Sequence, residues 1–120
     1  MRQDETIKIG EPLRIYMEHK GWKLVKTHGS QFQEGLPDFY AMHSQYVPRW
    51  IETKIKGRPL TPAQKRLFPF MLSCNVLLYI INGYDFRGKK GLPSLKAAYQ
   101  KLFQPSNAAL YLIPRMKGFV

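Results

Sequence analysis

Two carboxylates and a lysine lie on segments that are predicted to form neighbouring strands. Asp38 closes the segment 35–38 (GLPD), and Glu52 and Lys54 stand two apart in the segment 50–54 (WIETK). Magnesium prefers oxygen ligands and is typically held by one or two carboxylates together with a substrate phosphate. A lysine beside such a pair can stabilise developing negative charge. These residue types at this spacing indicate metal-assisted cleavage of a phosphodiester.

Each of these side chains also has a purely structural interpretation. Strand side chains alternate, so Glu52 and Lys54 share one face. Ile51 and Ile55 share the other, which we expect to pack on a helix. Glu52 and Lys54 then project into a cleft or into solvent, where an ordinary ion pair would account for them. Asp38 could simply cap backbone N–H groups of its turn. The combination of all three favours a catalytic site, in which Lys54 steadies the attacking water or the developing charge.

The composition describes a single basic domain. We expect one domain over residues 1–120, with a core at about residues 11–81 and a C-terminal helix and extended tail over 82–120. Lysine and arginine number 19 against 8 acidic residues, and the resulting net charge of +11 is spread along the chain. Such a surface attracts phosphate backbones or anionic membranes. Structural RNA-binding proteins share this composition, so charge alone does not indicate catalysis.

Other features of the sequence disfavour several classes of protein. The one cysteine, Cys74, excludes an internal disulfide framework and a cysteine-rich zinc site, and we expect it to be buried and unreactive. His19, His28 and His43 show no metal-ligand spacing. The N-terminus carries no apolar signal region, and the apolar run 76–81 is too short to span a bilayer. We expect a cytoplasmic protein without a membrane partner, which fits a bacterial or viral setting.

The pattern of apolar residues predicts an α/β (α+β) fold in which αβββαβ elements form a central mixed sheet flanked by helices. The connector between the second and third strands is predicted to be longer than a tight turn. Pro69 is expected to kink its helix or end it early. The predicted elements are a polar lead-in at 1–9, a helix at 12–20, an edge strand at 22–27, strands at 38–42 and 49–55, a helix at 62–73, a buried strand at 75–81, a helix at 94–103 and a final strand at 109–113.

The segment 61–64 (TPAQ) begins the second long helix. Thr61 and Gln64 fit a capping box, in which each side chain bonds the backbone N–H of the other residue. Gln64 is also in helical register with Leu67, so its side chain is expected to face the sheet. A capping role and a role in the site are both open, and the two are compatible.

Taken in order, the segments 35–38 (GLPD), 51–54 (IETK) and 60–64 (LTPAQ) resemble the PD-(D/E)XK nuclease superfamily. Within it, the chain is similar to the small VRR-NUC domains, which are themselves like archaeal Holliday-junction resolvases. The resemblance covers about residues 11–81 and implies a restriction-endonuclease-like core. It also implies cleavage of branched, flap or junction DNA with Mg²⁺ or Mn²⁺ as cofactor, and a homodimer where both strands are cut.

The resemblance also assigns roles to individual residues. It implies that Asp38 and Glu52 bind the metal, that the carbonyl of Thr53 adds a ligand, and that Lys54 is the catalytic lysine. It places Gln64 near the active site.

A further metal ligand is implied on the first helix. VRR-NUC-like domains tend to use a glutamate there, and Glu11 and Glu18 are the candidates. The usual place of that glutamate at the start of the helix favours Glu11. Both residues lie opposite the apolar stripe, so a solvated face explains them equally well.

Basic residues around the proposed site are candidates for DNA contacts. Cations near a carboxylate pair would hold the phosphates on either side of the scissile bond. Trp50 and Tyr46 could stack on bases, with core packing as the alternative for Trp50. The candidate nucleic-acid-binding residues are Lys26, His28, Lys56, Arg58, Lys65 and Arg66.

The leading hypothesis is therefore a metal-dependent endodeoxyribonuclease with preference for branched DNA. Two alternatives stay open. One is a non-catalytic basic protein that binds nucleic acid, whose acidic pair is ordinary surface. The other is a sequence-specific endonuclease of the restriction type. All three are expected to bind DNA in a strongly salt-dependent manner, so this property does not separate them.

Overall fold

The computed structural model describes residues 5–27, 35–55, 57–87 and 94–104. Over these ranges the protein is α+β, with a four-stranded mixed sheet and three α-helices, which confirms the predicted mixed class. The elements in chain order are α1 (Glu11–Glu18), β1 (Lys23–Lys26), β2 (Phe39–His43), β3 (Tyr46–Lys54), α2 (Pro62–Ser73), β4 (Leu78–Asn82) and α3 (Leu95–Lys101). The strand predicted at 109–113 lies outside the described residues.

The strands are ordered β1-β2-β3-β4 across the sheet. β1, β2 and β3 are successively antiparallel, whereas β4 runs parallel to β3. A parallel pair needs a crossover connection, and α2 supplies it. β1 is an edge strand among the described elements, as predicted. The arrangement puts β3 in the interior of the sheet, where both of its edges are paired.

The turn between β2 and β3 is shorter than predicted. His43 pairs with Tyr46, so only Ser44 and Gln45 connect the strands. The Gln45 backbone N–H donates to Nδ1 of His43 at 3.0 Å, which closes the turn. Tyr46 also stacks on Trp22, with ring centroids 5.6 Å apart and an interplanar angle of 9°. These contacts extend β3 towards the turn, and the prediction of a long connector was wrong.

The predicted polar lead-in at 1–9 was also wrong over the residues that the structure describes. A π-helical segment, Thr6–Gly10, leads directly into α1. Ile9, Leu13 and Met17 repeat every four residues and are completely buried. That stripe continues the helix N-terminally because Ile9 gains burial against the sheet.

α2 continues through Pro69 to Ser73, so an early end to this helix was a wrong prediction. Phe68, Met71 and Leu72 bury their side chains on either side of the proline. The burial of these apolar side chains offsets the loss of one backbone hydrogen bond. Cys74 follows the last turn and is exposed, contrary to the expectation that it is buried.

The two faces of the sheet are covered differently. α1 and α3 pack on one face, where the larger core forms around side chains such as Leu13, Leu24, Phe39 and Ile81. α2 packs on the β3–β4 half of the other face, where a smaller core includes Leu78. Among the described elements, α2 is the one that covers this face, and it leaves the β1–β2 half, next to the candidate site, uncovered.

Arg49 is completely buried in the larger core. Its Nε and Nη2 donate to the carbonyl of Val47 at 3.0 and 2.9 Å, and its Nη1 donates to the carbonyl of Leu102. Burial lowers the pKa of this guanidinium. The side chain thereby links the end of α3 to β3. Its cation also lies against the rings of Trp22, Tyr46, Tyr79 and Phe103 at 4.9 to 6.0 Å from the ring centroids.

Candidate active site

Asp38 lies where β2 begins and is held by β3. Phe39 pairs with Ile51 in the antiparallel register, so the next pair along would be Asp38 and Glu52. Asp38 is 8% exposed, and its Oδ2 accepts hydrogen bonds from the Thr53 backbone N–H at 2.8 Å and from Thr53 Oγ1 at 2.7 Å. The carboxylate therefore bonds across to the neighbouring strand. These bonds fix its position beside Glu52.

Glu52 is buried between β3 and the start of α2, and it is 2% exposed. Its Oε2 accepts a hydrogen bond from Gln64 Nε2 at 2.9 Å and lies 3.3 Å from Lys54 Nζ. Its Oε1 is buried and has no hydrogen-bond partner among the described residues. Glu52 and Lys54 are thus enclosed, and the expectation that this pair could lie in solvent was wrong. The reason is that the face opposite Ile51 is also covered by a helix.

The pKa of Glu52 is raised to about 7. Burial is the main cause, because it disfavours the charged carboxylate, and the negative charge of Asp38 adds to it. Lys54 and the Gln64 hydrogen bond act in the opposite direction. Asp38 and Glu52 are therefore close enough to repel each other, and a cation between them would relieve that repulsion.

Lys54 is a buried partner of Glu52. The side chains of these two residues are 9% and 2% exposed, so they do not form the ordinary surface ion pair that the sequence left open. A buried ammonium is worth far more electrostatically than one in water, because less solvent screens it. Its position beside a carboxylate suits a group that stabilises charge on a bound phosphate.

Gln64 forms the predicted capping box, and its side chain also faces the sheet, where it contacts Glu52. Its Oε1 accepts from the Thr61 backbone N–H at 3.0 Å, and its own backbone N–H donates to Thr61 Oγ1 at 3.2 Å. This capping box leaves Nε2 to donate to Glu52. The first turn of α2 and the carboxylate are therefore positioned by the same side chain.

Gly35 brings the GLPD segment against the first turn of α2. Its φ of +89° is in the region that side chains rarely adopt. A Cβ at this position would lie 3.1 Å from the Ala63 carbonyl oxygen and 3.2 Å from its carbon. The segment that ends at Asp38 consequently touches the helix that carries Gln64.

We expect the positive φ at this position to make Gly35→Ala less stable by about 1–2 kcal/mol. The clash of the new Cβ with Ala63 should add to this loss. Gly57→Ala is the matched control, because Gly57 has a φ of +87° and a Cβ at that position would meet nothing within 4 Å. Urea unfolding of both variants measures the difference. Equal losses of unfolding free energy would show that the close approach to Ala63 carries no cost.

Glu11 and Glu18 both pair with Arg14 of their own helix. The Glu11 Oε2 lies 2.8 Å from Arg14 Nη2, and the Glu18 Oε1 lies 2.9 Å from Nη1. The hydrogen bond from Arg14 lowers the pKa of Glu11, with a smaller contribution from the charge of Lys26. No contact within the described part of the chain links either glutamate to Asp38. The described contacts of Glu11 are thus those of an ion pair within α1, and its assignment as a metal ligand stays a prediction.

The predicted DNA-binding residues are placed as follows. Lys65 and Arg66 are exposed on α2, directly after Gln64, and Arg58 is partly exposed in the preceding loop. Lys26 is exposed on β1 near Glu11. Of these residues, Lys65 and Arg66 are the ones that directly follow a residue of the candidate site, Gln64. His28 and Lys56 lie outside the described residues.

Comparisons with protein-family models, with curated proteins and with solved structures each found no match. Within residues 5–27, 35–55, 57–87 and 94–104, no three His, Cys, Asp or Glu side chains form a group that could hold a metal ion. Over the same ranges, no helix is long and apolar enough to cross a membrane. The candidate site thus rests on its own geometry, with two carboxylates and one lysine.

The sequence did not identify the side chain of Thr53 as part of the site. Only its carbonyl was considered, yet its hydroxyl and its N–H both bind Asp38. Strand alternation placed this side chain on the face opposite Glu52, away from the expected chemistry. The available signal was the position of Thr53 between Ile51 and Ile55, where a hydroxyl interrupts an otherwise apolar, inward-facing pattern.

Proposed function

We propose that this protein is a divalent-metal-dependent endonuclease that hydrolyses phosphodiester bonds in DNA. The observation that carries the proposal is the buried group of Asp38, Glu52 and Lys54, in which one carboxylate oxygen of Glu52 has no described partner. A buried polar atom without a partner is costly, and such atoms mark sites where an ion or another group binds. Burying two carboxylates together has no evident benefit for stability alone.

The side chains present fit Mg²⁺ or Mn²⁺. Asp38 and Glu52 would hold the ion, with the carbonyl of Thr53 as a further oxygen ligand, and water and substrate phosphate would complete the coordination. When bound, such an ion activates a water for attack and offsets charge on the phosphate. Thr53 keeps Asp38 in place through two hydrogen bonds, and Gln64 does the same for Glu52 through one.

Lys54 has a distinct part in this proposal. Its ammonium lies 3.3 Å from Glu52 Oε2 and is enclosed with it. From there it can donate to the attacking water or to an oxygen of the scissile phosphate, where negative charge develops. Lys65 and Arg66 would bind flanking phosphates, and the net charge of +11 favours a polyanionic substrate.

Branched, flap or junction DNA is the substrate we propose, as the resemblance to VRR-NUC domains implies. The αβββαβ order and the positions of the GLPD, IETK and LTPAQ segments support a restriction-endonuclease-like core. A homodimer would supply the second centre needed to cut both strands of a junction. The alternatives are a non-catalytic nucleic-acid-binding protein and a sequence-specific endonuclease.

The test is cleavage of labelled junction, flap and linear duplex DNA in Mg²⁺. We expect Asp38→Asn to lower the rate at least about 10²-fold, because it removes one charged ligand of the ion. Asp85→Asn is the control, since Asp85 is also a buried carboxylate but pairs with Arg87. Equal rates in both variants would refute the assignment. Absent cleavage together with absent Mg²⁺ binding in calorimetry would favour the non-catalytic protein, and site-specific cuts in linear duplex would favour the restriction type.

A further inference from the structure

The β1–β2 half of the face on which α2 packs is not covered by any described element, and this open half carries an apolar surface next to the candidate site. Val25 pairs with Tyr40, and Tyr40 pairs with Trp50, so the three form one row across β1, β2 and β3. Val25 is 46% exposed and Met42, one row away, is 36% exposed. Tyr40 and Trp50 are partly exposed. We call these four residues the sheet platform.

Tyr40 and Trp50 form the aromatic part of the sheet platform. Their ring centroids lie 4.9 Å apart with an interplanar angle of 53°. Trp50 also packs against the smaller core beneath α2, so its ring is supported from behind. Tyr40 is the aromatic nearer to the uncovered edge strand. Because the Tyr40 ring lies against the Trp50 ring, the Tyr40 side chain loses little conformational freedom when a ligand stacks on it.

The sheet platform adjoins the carboxylates. Tyr40 follows Asp38 by two residues, and Trp50 precedes Glu52 by two residues, which corresponds to about 7 Å along a strand. α2 covers the β3–β4 half of this face, so the open half lies on the approach to Glu52. A polymer chain that reaches the carboxylates from this side therefore passes over Tyr40.

The chemistry of the sheet platform fits a nucleobase. Aromatic rings flanked by cations are the usual combination for binding single-stranded nucleic acid, and each stacked base contributes substantially and without sequence preference. Lys23 pairs with Met42 at the border of the platform and is exposed. Bases inside a duplex are already stacked on their neighbours, so only an unpaired base is free to lie on Tyr40.

We infer that Tyr40 stacks on an unpaired base next to the scissile phosphate, so that the substrate is DNA with a single-stranded nucleotide at the cut. This inference rests on the proposed nuclease function and narrows it. Fully paired DNA lacks the ligand for the platform. The sheet platform, which lies beside Asp38 and Glu52, would then determine which DNA structures are cleaved.

The test uses DNA with 2-aminopurine as the unpaired base beside a duplex, and a fully paired DNA of the same sequence, both with EDTA present to prevent cleavage. We expect wild type and Tyr40→Phe to quench the fluorescence and to bind the unpaired DNA equally. Tyr40→Leu should bind it about tenfold more weakly and should bind paired DNA as wild type does. Far-ultraviolet circular dichroism checks that each variant is folded.

Three results would overturn the inference. One is the absence of quenching in the wild type, which needs no variant. Another is an affinity of Tyr40→Leu that is lowered by the same factor for the unpaired and for the fully paired DNA. The third is a wild-type dimer that Tyr40→Leu makes monomeric in analytical ultracentrifugation, because a second copy would then cover the platform. Quenching without cleavage in Mg²⁺ would instead refute the proposed function alone, and cleavage without quenching would refute this inference alone.

Discussion

Lys54→Met is expected to reduce DNA cleavage by about 10²–10³-fold without unfolding the protein. Methionine keeps most of the length of the side chain but removes the ammonium that lies beside Glu52. The lost donor is the one that we propose to act on the attacking water or on the scissile phosphate. The measurement is the single-turnover rate of cleavage of a labelled junction or flap at saturating Mg²⁺.

Lys65→Met is the matched control for this experiment. Lys65 lies on α2 and is exposed, so its loss should weaken DNA binding slightly and leave the single-turnover rate nearly unchanged. Lys54 also lowers the pKa of Glu52, so its removal disfavours the carboxylate. The rates are therefore compared at about pH 8.5 as well as at neutral pH. A Lys54→Met rate within a few-fold of the Lys65→Met rate at both pH values would exclude Lys54 from the chemistry.

The free energy of unfolding of the metal-free protein should fall between about pH 5 and about pH 8, by about 2 to 3 kcal/mol from Glu52 alone. Its pKa is about 7 in the folded protein and near 4.5 when the chain is unfolded. Between these values the folded protein binds a proton that the unfolded chain has lost. The stabilisation from the protonated carboxyl is therefore complete below pH 4.5 and is lost as the pH rises through 7.

Glu52→Gln isolates this contribution, because glutamine has the same shape and does not titrate. The pH dependence of the difference between wild type and Glu52→Gln, measured by urea unfolding, cancels the other titrating groups. Mg²⁺ should restore stability to the wild type above pH 7, since it binds the folded carboxylate, and should not do so for the variant. A difference that stays constant from pH 5 to pH 8 would mean that Glu52 is ionised throughout in the folded protein.

Most of the sheet was predictable because its strands have strong local signals. The β-branched and aliphatic run at 76–81 and the alternation at 50–54 each indicate a strand, and β4 and β3 occupy these regions. Prediction failed where tertiary contacts decide the outcome. The length of β3 depends on Tyr46 stacking on Trp22, which is far away in the sequence.

The site was predictable in its residue types but less so in its surroundings. The spacing of Asp38, Glu52 and Lys54 follows from the period of a strand, so these residues could be proposed together. Their burial could not, because it depends on how α2 crosses the sheet. Arg49 illustrates the same limit, since an arginine in a strand is expected at the surface, and its burial depends on carbonyl groups and aromatic rings that only the folded chain brings together.

The amide of Gln64 connects secondary structure to chemistry. Its oxygen accepts from the Thr61 N–H, and its nitrogen donates to Glu52. A glutamate at this position could complete the capping box but would repel Glu52. Asparagine is one methylene too short to reach both Thr61 and Glu52. Selection for a well-formed helix and selection for an oriented acid therefore act on one codon. The helix alone would accept either glutamine or glutamate at position 64, so the hydrogen bond to Glu52 is what restricts this position to glutamine.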